Sequence, residues 1–173
     1  MRTERLRLRR FTAADLDLLV ALDGDPDVMR YLGNGRPLPP DEVAAHELPR
    51  MLADHGPLGY WAAFAEETFV GWFGAVPRDG DRASVELGYR LTRTAWGHGY
   101  ATEGARCLVS LVFECGADRV VATTMAINSG SRRVLEKAGL RHVRTWFGEW
   151  DEPIPGAEHG DVDYELHRPV LAP

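Results

Sequence analysis

Between Val85 and Met125 the chain changes its hydrophobic period twice, and that switch limits the folds open to it. Val85, Leu87, Tyr89 and Leu91 alternate with Glu86, Gly88 and Arg90, the period of a strand that keeps its charged residues on one face. A glycine-rich turn follows at residues 96–100. Ala101, Ala105, Leu108, Val109 and Val112 then fall on one stripe of a helix that reaches Glu114 and is closed by Gly116. Residues 120–125 read as a buried strand. A strand, a helix and a strand in this order place the chain in the mixed α/β class.

The flanking segments fit that class. Arg2, Arg5, Arg7, Arg9 and Arg10 alternate with Leu6 and Leu8, the pattern of an edge strand with a solvated face. Thr12 reads as the N-cap of a helix carrying Leu16, Leu19, Val20 and Asp23, and residues 25–27 restart a short helical stretch. After a loop at 33–40, Asp41 is expected to cap a helix from Glu42 to about Ala53 despite Pro49. Residues 60–65 and 69–76 form a hairpin, and Asp79-Gly80 supplies the next turn. Gly88 suggests a bulge or a close backbone approach. Residues 128–137 form a helix stopped by Gly139, and strands are expected at 140–150 and 162–167.

At 173 residues the chain fits one domain, residues 1–173, and 45% hydrophobic content suffices for an unstapled core. The net charge of −6, from 20 basic and 26 acidic residues, argues against a nucleic-acid partner. No apolar run approaches the roughly 20 residues of a membrane span, and no leader is evident, so no membrane partner and a cytoplasmic location are expected. Cys107 and Cys115 share one helix about 12 Å apart along its axis, too far to bridge, and read as small core residues. His46, His55, His98, His142, His159 and His167 show no metal-ligand spacing, so no metal is expected. Tyr60, Trp61, Trp72 and Phe73 read as core, while Glu149, Trp150 and Asp151 at a strand end can face a cationic amine.

The chemistry concentrates at residues 96–102, Trp96-Gly97-His98-Gly99-Tyr100-Ala101-Thr102. Glycines let backbone N–H groups converge, and a helix N-terminus adds unpaired donors and the positive end of its dipole, which suits a pyrophosphate. The dinucleotide fingerprint GxGxxG fails at Thr102, which removes a nicotinamide oxidoreductase, and the phosphate loop GxxxxGK[ST] is absent.

Here the sequence resembles the GNAT superfamily of acyl-CoA-dependent N-acetyltransferases, whose pyrophosphate loop follows [Q/R]xxGx[G/A]. Gly99 and Ala101 match. Trp96 departs from the usual Gln or Arg, yet WGHGYATE at 96–103 resembles the WGxGYATE of the RimJ/RimL-like branch that acetylates ribosomal-protein N-termini. Residues 4–17, 25–33 and 128–140 resemble the same branch in the same order. The resemblance implies a mixed, mostly antiparallel splayed sheet of about six to seven strands with about four helices on its faces. It also implies acetyl-CoA as cosubstrate, its pantetheine lying between strands 85–91 and 120–125, with contacts at Leu91, Trp96, Gly97, His98, Gly99, Tyr100, Ala101, Thr102 and Asn128.

In direct transfer a neutral amine attacks the thioester and the departing thiolate needs a proton. Glu86 is the candidate base, against the alternative of a solvent-facing carboxylate, and the matching ELGY segment favours catalysis. Glu103 reads as a first-turn complement to the helix dipole. The tyrosine acid common in the superfamily is replaced by Leu135, and Ser131 matches the branch's NxxS serine, a proton donor there, or else caps its helix beside Asn128. Arg132 and Arg133 read as solvated. The implied partner is an amine, a peptide N-terminus or a small molecule, and the chain is open to pairing as a homodimer. The competing reading is a non-catalytic acyl-CoA sensor, kept alive by Leu135.

Overall fold

The computed structural model describes residues 1–150 and 152–169. Its strands are β1 Leu6–Arg10, β2 Gly59–Ala65, β3 Thr68–Arg78, β4 Asp81–Leu91, β5 Arg119–Met125, β6 Arg141–Trp146 and β7 Asp161–His167. They form one seven-stranded sheet in the order β1-β2-β3-β4-β5-β7-β6. β4 and β5 run parallel, and the other neighbours run antiparallel. The β3–β4 turn has positive φ at both Asp79 (51°) and Gly80 (79°), the primed geometry that follows the twist of a hairpin.

Helices α1 Leu16–Asp23, α2 Pro26–Met29, α3 Pro40–Glu42 and α4 Leu48–Leu52 cover one face; α5 Tyr100–Glu114 and α6 Ser129–Lys137 cover the other. Strand alternation sorts the side chains between these two layers. Trp61, Ala63, Phe73, Ala75, Val85 and Leu87 pack with Ala105, Leu108 and Val112 of α5 and Leu135 of α6. Tyr60, Ala62, Phe64 and Trp72 pack with Leu19, Leu22, Val28, Val43 and Met51. Among the described residues, no helix is long and apolar enough to cross a membrane.

Several expectations are corrected. The helix expected at 42–53 is preceded by Pro39 rather than capped by Asp41, and Val43–Glu47 forms a π turn between α3 and α4. Pro49 accounts for the widening: its ring would press on the carbonyl four residues back, and the wider turn bonds the Leu48 N–H to the Val43 carbonyl instead. The β3–β4 register passes through Gly74↔Gly88 unbroken, so Gly88 makes no bulge; a Cβ there would lie 3.6 Å from the Trp72 ring. The strand expected at 140–150 ends at Trp146, leaving Trp150 exposed beyond it, and Asp151 lies outside the described residues. Cys115 is exposed and Cys107 half-buried, both free, so Cys115 is no core residue. The arginine face is engaged rather than simply solvated. Arg9 pairs with Asp15 and Arg7 with Glu67, Arg7 and Arg9 lie over Phe64, and Arg10 lies over Trp61.

Candidate active site

β4 and β5 pair only at Ser84↔Arg119, Val85↔Val120 and Glu86↔Val121. Beyond Glu86 they part. β4 is bonded to β3 and β5 to β7 on their outer edges, so the facing edges of 87–91 and 122–125 carry main-chain groups with no strand partner. The parting opens a cleft of about 710 Å³ lined from both layers. Where β4 ends, the Trp96 indole N–H donates to the Leu91 carbonyl at 3.0 Å, which ties the following turn to the strand.

Gly97 and Gly99 in that turn have φ of 80° and 82°, a conformation costly for any residue with a Cβ. The first bond of α5 runs from the Glu103 N–H to the Gly99 carbonyl. The N–H groups of Tyr100, Ala101 and Thr102 are therefore left over at the positive end of a 15-residue helix, the arrangement that binds phosphate groups. Leu91, Trp96, Gly97, Gly99, Ala101 and Thr102 line the cleft, but His98 and Tyr100 do not. Their rings stack on each other at 5.7 Å, and Arg5 donates to the His98 carbonyl while lying over Tyr100. Glu103 does more than complement a dipole: it accepts from the Arg5 guanidinium and from Thr3, so the N-terminal segment braces the turn. Burial works to raise the Glu103 pKa, but the Thr3 and Arg5 bonds outweigh it and hold the carboxyl below its ordinary value.

The opposite wall is α6. Asn128 is its cap, with Oδ1 accepting from the Ser131 N–H at 3.1 Å. Ser131 is left free of capping: its Oγ lies 3.0 Å from the Tyr89 hydroxyl, which also reaches the Ser131 carbonyl at 3.1 Å. Burial raises the Tyr89 pKa and the Ser131 bond only partly opposes it, so the phenol keeps its proton. Asn128, Ser131, Tyr89 and Leu135 all line the cleft. Sequence reasoning missed Tyr89, whose only signal was a strand period turning it to the face opposite Glu86. Arg132 is drawn away to the Tyr164 hydroxyl and the Ala126 carbonyl, whereas Arg133 lines the cleft.

On the other face Glu86, Gly88 and Arg90 stand in register with Val76, Gly74 and Trp72. Glu86 is exposed and lines the cleft. Tyr60 and Trp72, expected as core, are buried yet line it too, while Trp61 and Phe73 stay in the α5 layer. The Tyr60 ring lies against Gly74, where a Cβ would come within 2.7 Å, and meets Trp72 edge-on at 5.7 Å. The Arg50 and Arg90 guanidiniums each sit 5.5 Å from the Trp72 ring. Arg90 pairs with Asp23, and Arg50 pairs with Glu47 and donates to the Tyr60 hydroxyl at 3.3 Å. Burial pushes the Asp23 carboxyl up, against the pull of Arg90. Among the described residues, Glu149, Trp150 and the loops at 33–40 and 152–160 do not line the cleft; Ile154 instead packs on Gly35. No three His, Cys, Asp or Glu side chains gather as a metal set among the described residues.

The family model described as the acetyltransferase (GNAT) domain matches residues 5–141. The chain is 39% identical over 178 residues to the FsC-acetyl coenzyme A-N(2)-transacetylase of Aspergillus fumigatus, covering 97% of this chain and 76% of that protein. Among the solved structures that share its fold are two with coenzyme A bound. The ribosomal alpha-N-protein acetyltransferase RimL in complex with coenzyme A superposes with a TM-score of 0.79 at 16% identity, covering 95% of each chain. The spermidine N-acetyltransferase of Vibrio cholerae, in complex with CoA and spermine, gives 0.77 at 16% identity, covering 94% of this chain and 95% of that one.

Proposed function

The chain belongs to the GNAT acetyltransferase family, and from that premise we propose that it transfers the acetyl group of acetyl-CoA directly to a primary amine held on the Glu86 side of the sheet. The observation that carries this reading is the parting of β4 from β5 beside the free N-terminus of α5. One opening offers unpaired strand edges for the amides of a pantetheine arm and a cluster of N–H donors for a pyrophosphate. Leu91, Trp96, Gly97, Gly99, Ala101, Thr102 and Asn128 hold the cosubstrate in this reading. His98 and Tyr100 contribute through their backbone while their rings brace the turn. The similarity to a protein named as a transacetylase acting at an N(2) nitrogen supports an amine acceptor.

Acetyl-CoA supplies the acyl group as a thioester. Glu86 takes the proton that leaves the amine nitrogen, which matters because only about one α-amine in ten is neutral at pH 7 and far fewer lysine side chains are. Ser131 Oγ offers its proton toward the sulfur, and Tyr89, 3.0 Å behind it, orients that hydroxyl. This pair answers the loss of the superfamily tyrosine at Leu135 and favours an enzyme over a sensor. Calorimetry should find one micromolar acetyl-CoA site per chain, abolished in Gly99→Val. Glu86→Gln should keep that affinity while kcat falls about 10²-fold or more. Tight binding without turnover of any amine would establish the sensor instead.

A further inference from the structure

The acceptor side of the cleft is lined by charge of mainly one sign. Its charged residues on the β2–β4 face are Arg30, Arg50, Arg90, Asp27 and Glu86. Asp27 is engaged by Arg93 at 3.5 Å, and Glu86 is the proposed base. The carboxylates that balance Arg90 and Arg50 are Asp23 and Glu47, and neither lines the cleft; Asp23 is completely buried. An incoming molecule therefore meets guanidinium, with the compensating charge behind it.

Hydrogen bonding points the same way. Arg50 Nε, Arg90 Nε and Trp72 Nε1 are buried N–H donors without a partner, grouped about one indole ring, and Trp72 is 5% exposed. Asp23 Oδ2 is the one buried side-chain acceptor left unpaired among the described residues. The layer behind the cleft wall is short of oxygen acceptors, so its guanidiniums keep donor capacity beyond their carboxylate partners. Tyr60 and Trp72, meeting edge to face, add apolar surface between the arginines and Glu86.

We infer that the acceptor is an amine that also carries a carboxylate, bound at Arg50 and Arg90, with an apolar body between its two charges that lies against Tyr60 and Trp72. The inference rests on the acetyltransferase reading and names its substrate class. Glu86 and Arg90 lie four residues apart on one strand face, about 13 Å between their Cα atoms. That separation suits an amine and a carboxylate held several bonds apart better than a compact α-amino acid. A polycation such as spermine, present in the Vibrio cholerae structure, would meet three arginines here.

The test compares 4-(aminomethyl)benzoate, 4-(aminomethyl)benzamide and spermidine as acceptors, following thiol release from acetyl-CoA. The acid should exceed the amide in kcat/KM by about tenfold or more, with spermidine lowest. Arg50→Gln should bring acid and amide level. Arg30→Gln, at an exposed position, should narrow the ratio by about threefold. Equal or better turnover of the amide or of spermidine would overturn the inference while leaving the acetyltransferase standing. Quenching of tryptophan fluorescence by the acid reads the anion site without turnover: no quenching at millimolar acid overturns it. Quenching that Arg50→Gln removes, in a protein that acetylates nothing, would support the anion site and sink the enzyme.

Discussion

Asp15 shows how much one side chain can hold. It is 4% exposed and accepts from Arg9 through both oxygens, at 2.6 and 2.7 Å, and from the Thr12 N–H. The Arg9 bonds, working against burial, lower its pKa from 3.8 to about 2. The folded value lies below the unfolded one, so the contribution is fully present above pH 4 and is lost as the pH falls through 2. It is worth at most about 2.5 kcal/mol, less the screening of a partly exposed Arg9. Thermal melts should show the wild type losing stability faster than Asp15→Asn between pH 4 and 2; parallel slopes would mean that the pair contributes nothing. Ser131 and Asn128 divide two roles that the sequence left joined. Asn128→Ala should cost about 1 kcal/mol as a lost cap, while Ser131→Ala should leave the Tm nearly unchanged and lower kcat. The reverse pattern would make Ser131 structural. Both residues were legible as candidates, but nothing local could assign the cap to one and a tyrosine 42 positions away to the other, because that contact exists only once β4 and α6 have packed.

At the scale of elements, α5 was the clearest part of the sequence, and its seating was the least. The stripe Ala105, Leu108, Val109 and Val112 is buried as its period requires. The helix lies so close to β3 that a Cβ at Gly104 would run into the Phe73 ring, which is itself wholly buried. Gly104→Ala should therefore destabilise by about 1–3 kcal/mol through overpacking, although alanine favours a helix over glycine by up to about 1 kcal/mol. Phe73→Leu in the same chain should recover part of the loss. A higher Tm in Gly104→Ala alone would show that the ring yields without cost. Periodicity placed the helix correctly because it is a local property of the chain. The same reasoning drew a regular helix at 42–53, where Pro49 forces a π turn, and offered a bulge or a close backbone approach at Gly88, where the register runs unbroken and a Cβ would stand at ordinary contact distance from the Trp72 ring. At Gly104 the absent side chain does admit a neighbour, and which neighbour it is, the Phe73 ring, is decided by a strand elsewhere in the chain.

For the whole molecule, the sheet consists of β1 to β4 and of β5, β7 and β6, joined edge to edge by three residue pairs. The place of the parting was expected from the resemblance, whereas the insertion of β7 between β5 and β6 was not legible, since pairing across such separations leaves no local pattern in the chain. With so short a seam, the edges at 87–91 and 122–125 have partners only when something lies between them. A bound cosubstrate should act as that partner and couple the two parts. By mass action, acetyl-CoA at a hundred times its Kd should add about 2.7 kcal/mol to the stability of the fold. Hydrogen exchange should locate the gain. Amides at 87–91 and 122–125, together with those of Tyr100, Ala101 and Thr102, should slow most, while β1 and β2 should gain only the global increment. In Gly99→Val both effects should vanish together, because the pyrophosphate donors and the strand edges serve one molecule. Protection confined to the α5 N-terminus, with the strand edges exchanging as in the free protein, would show that the arm lies elsewhere and that the parting of β4 and β5 is not its channel.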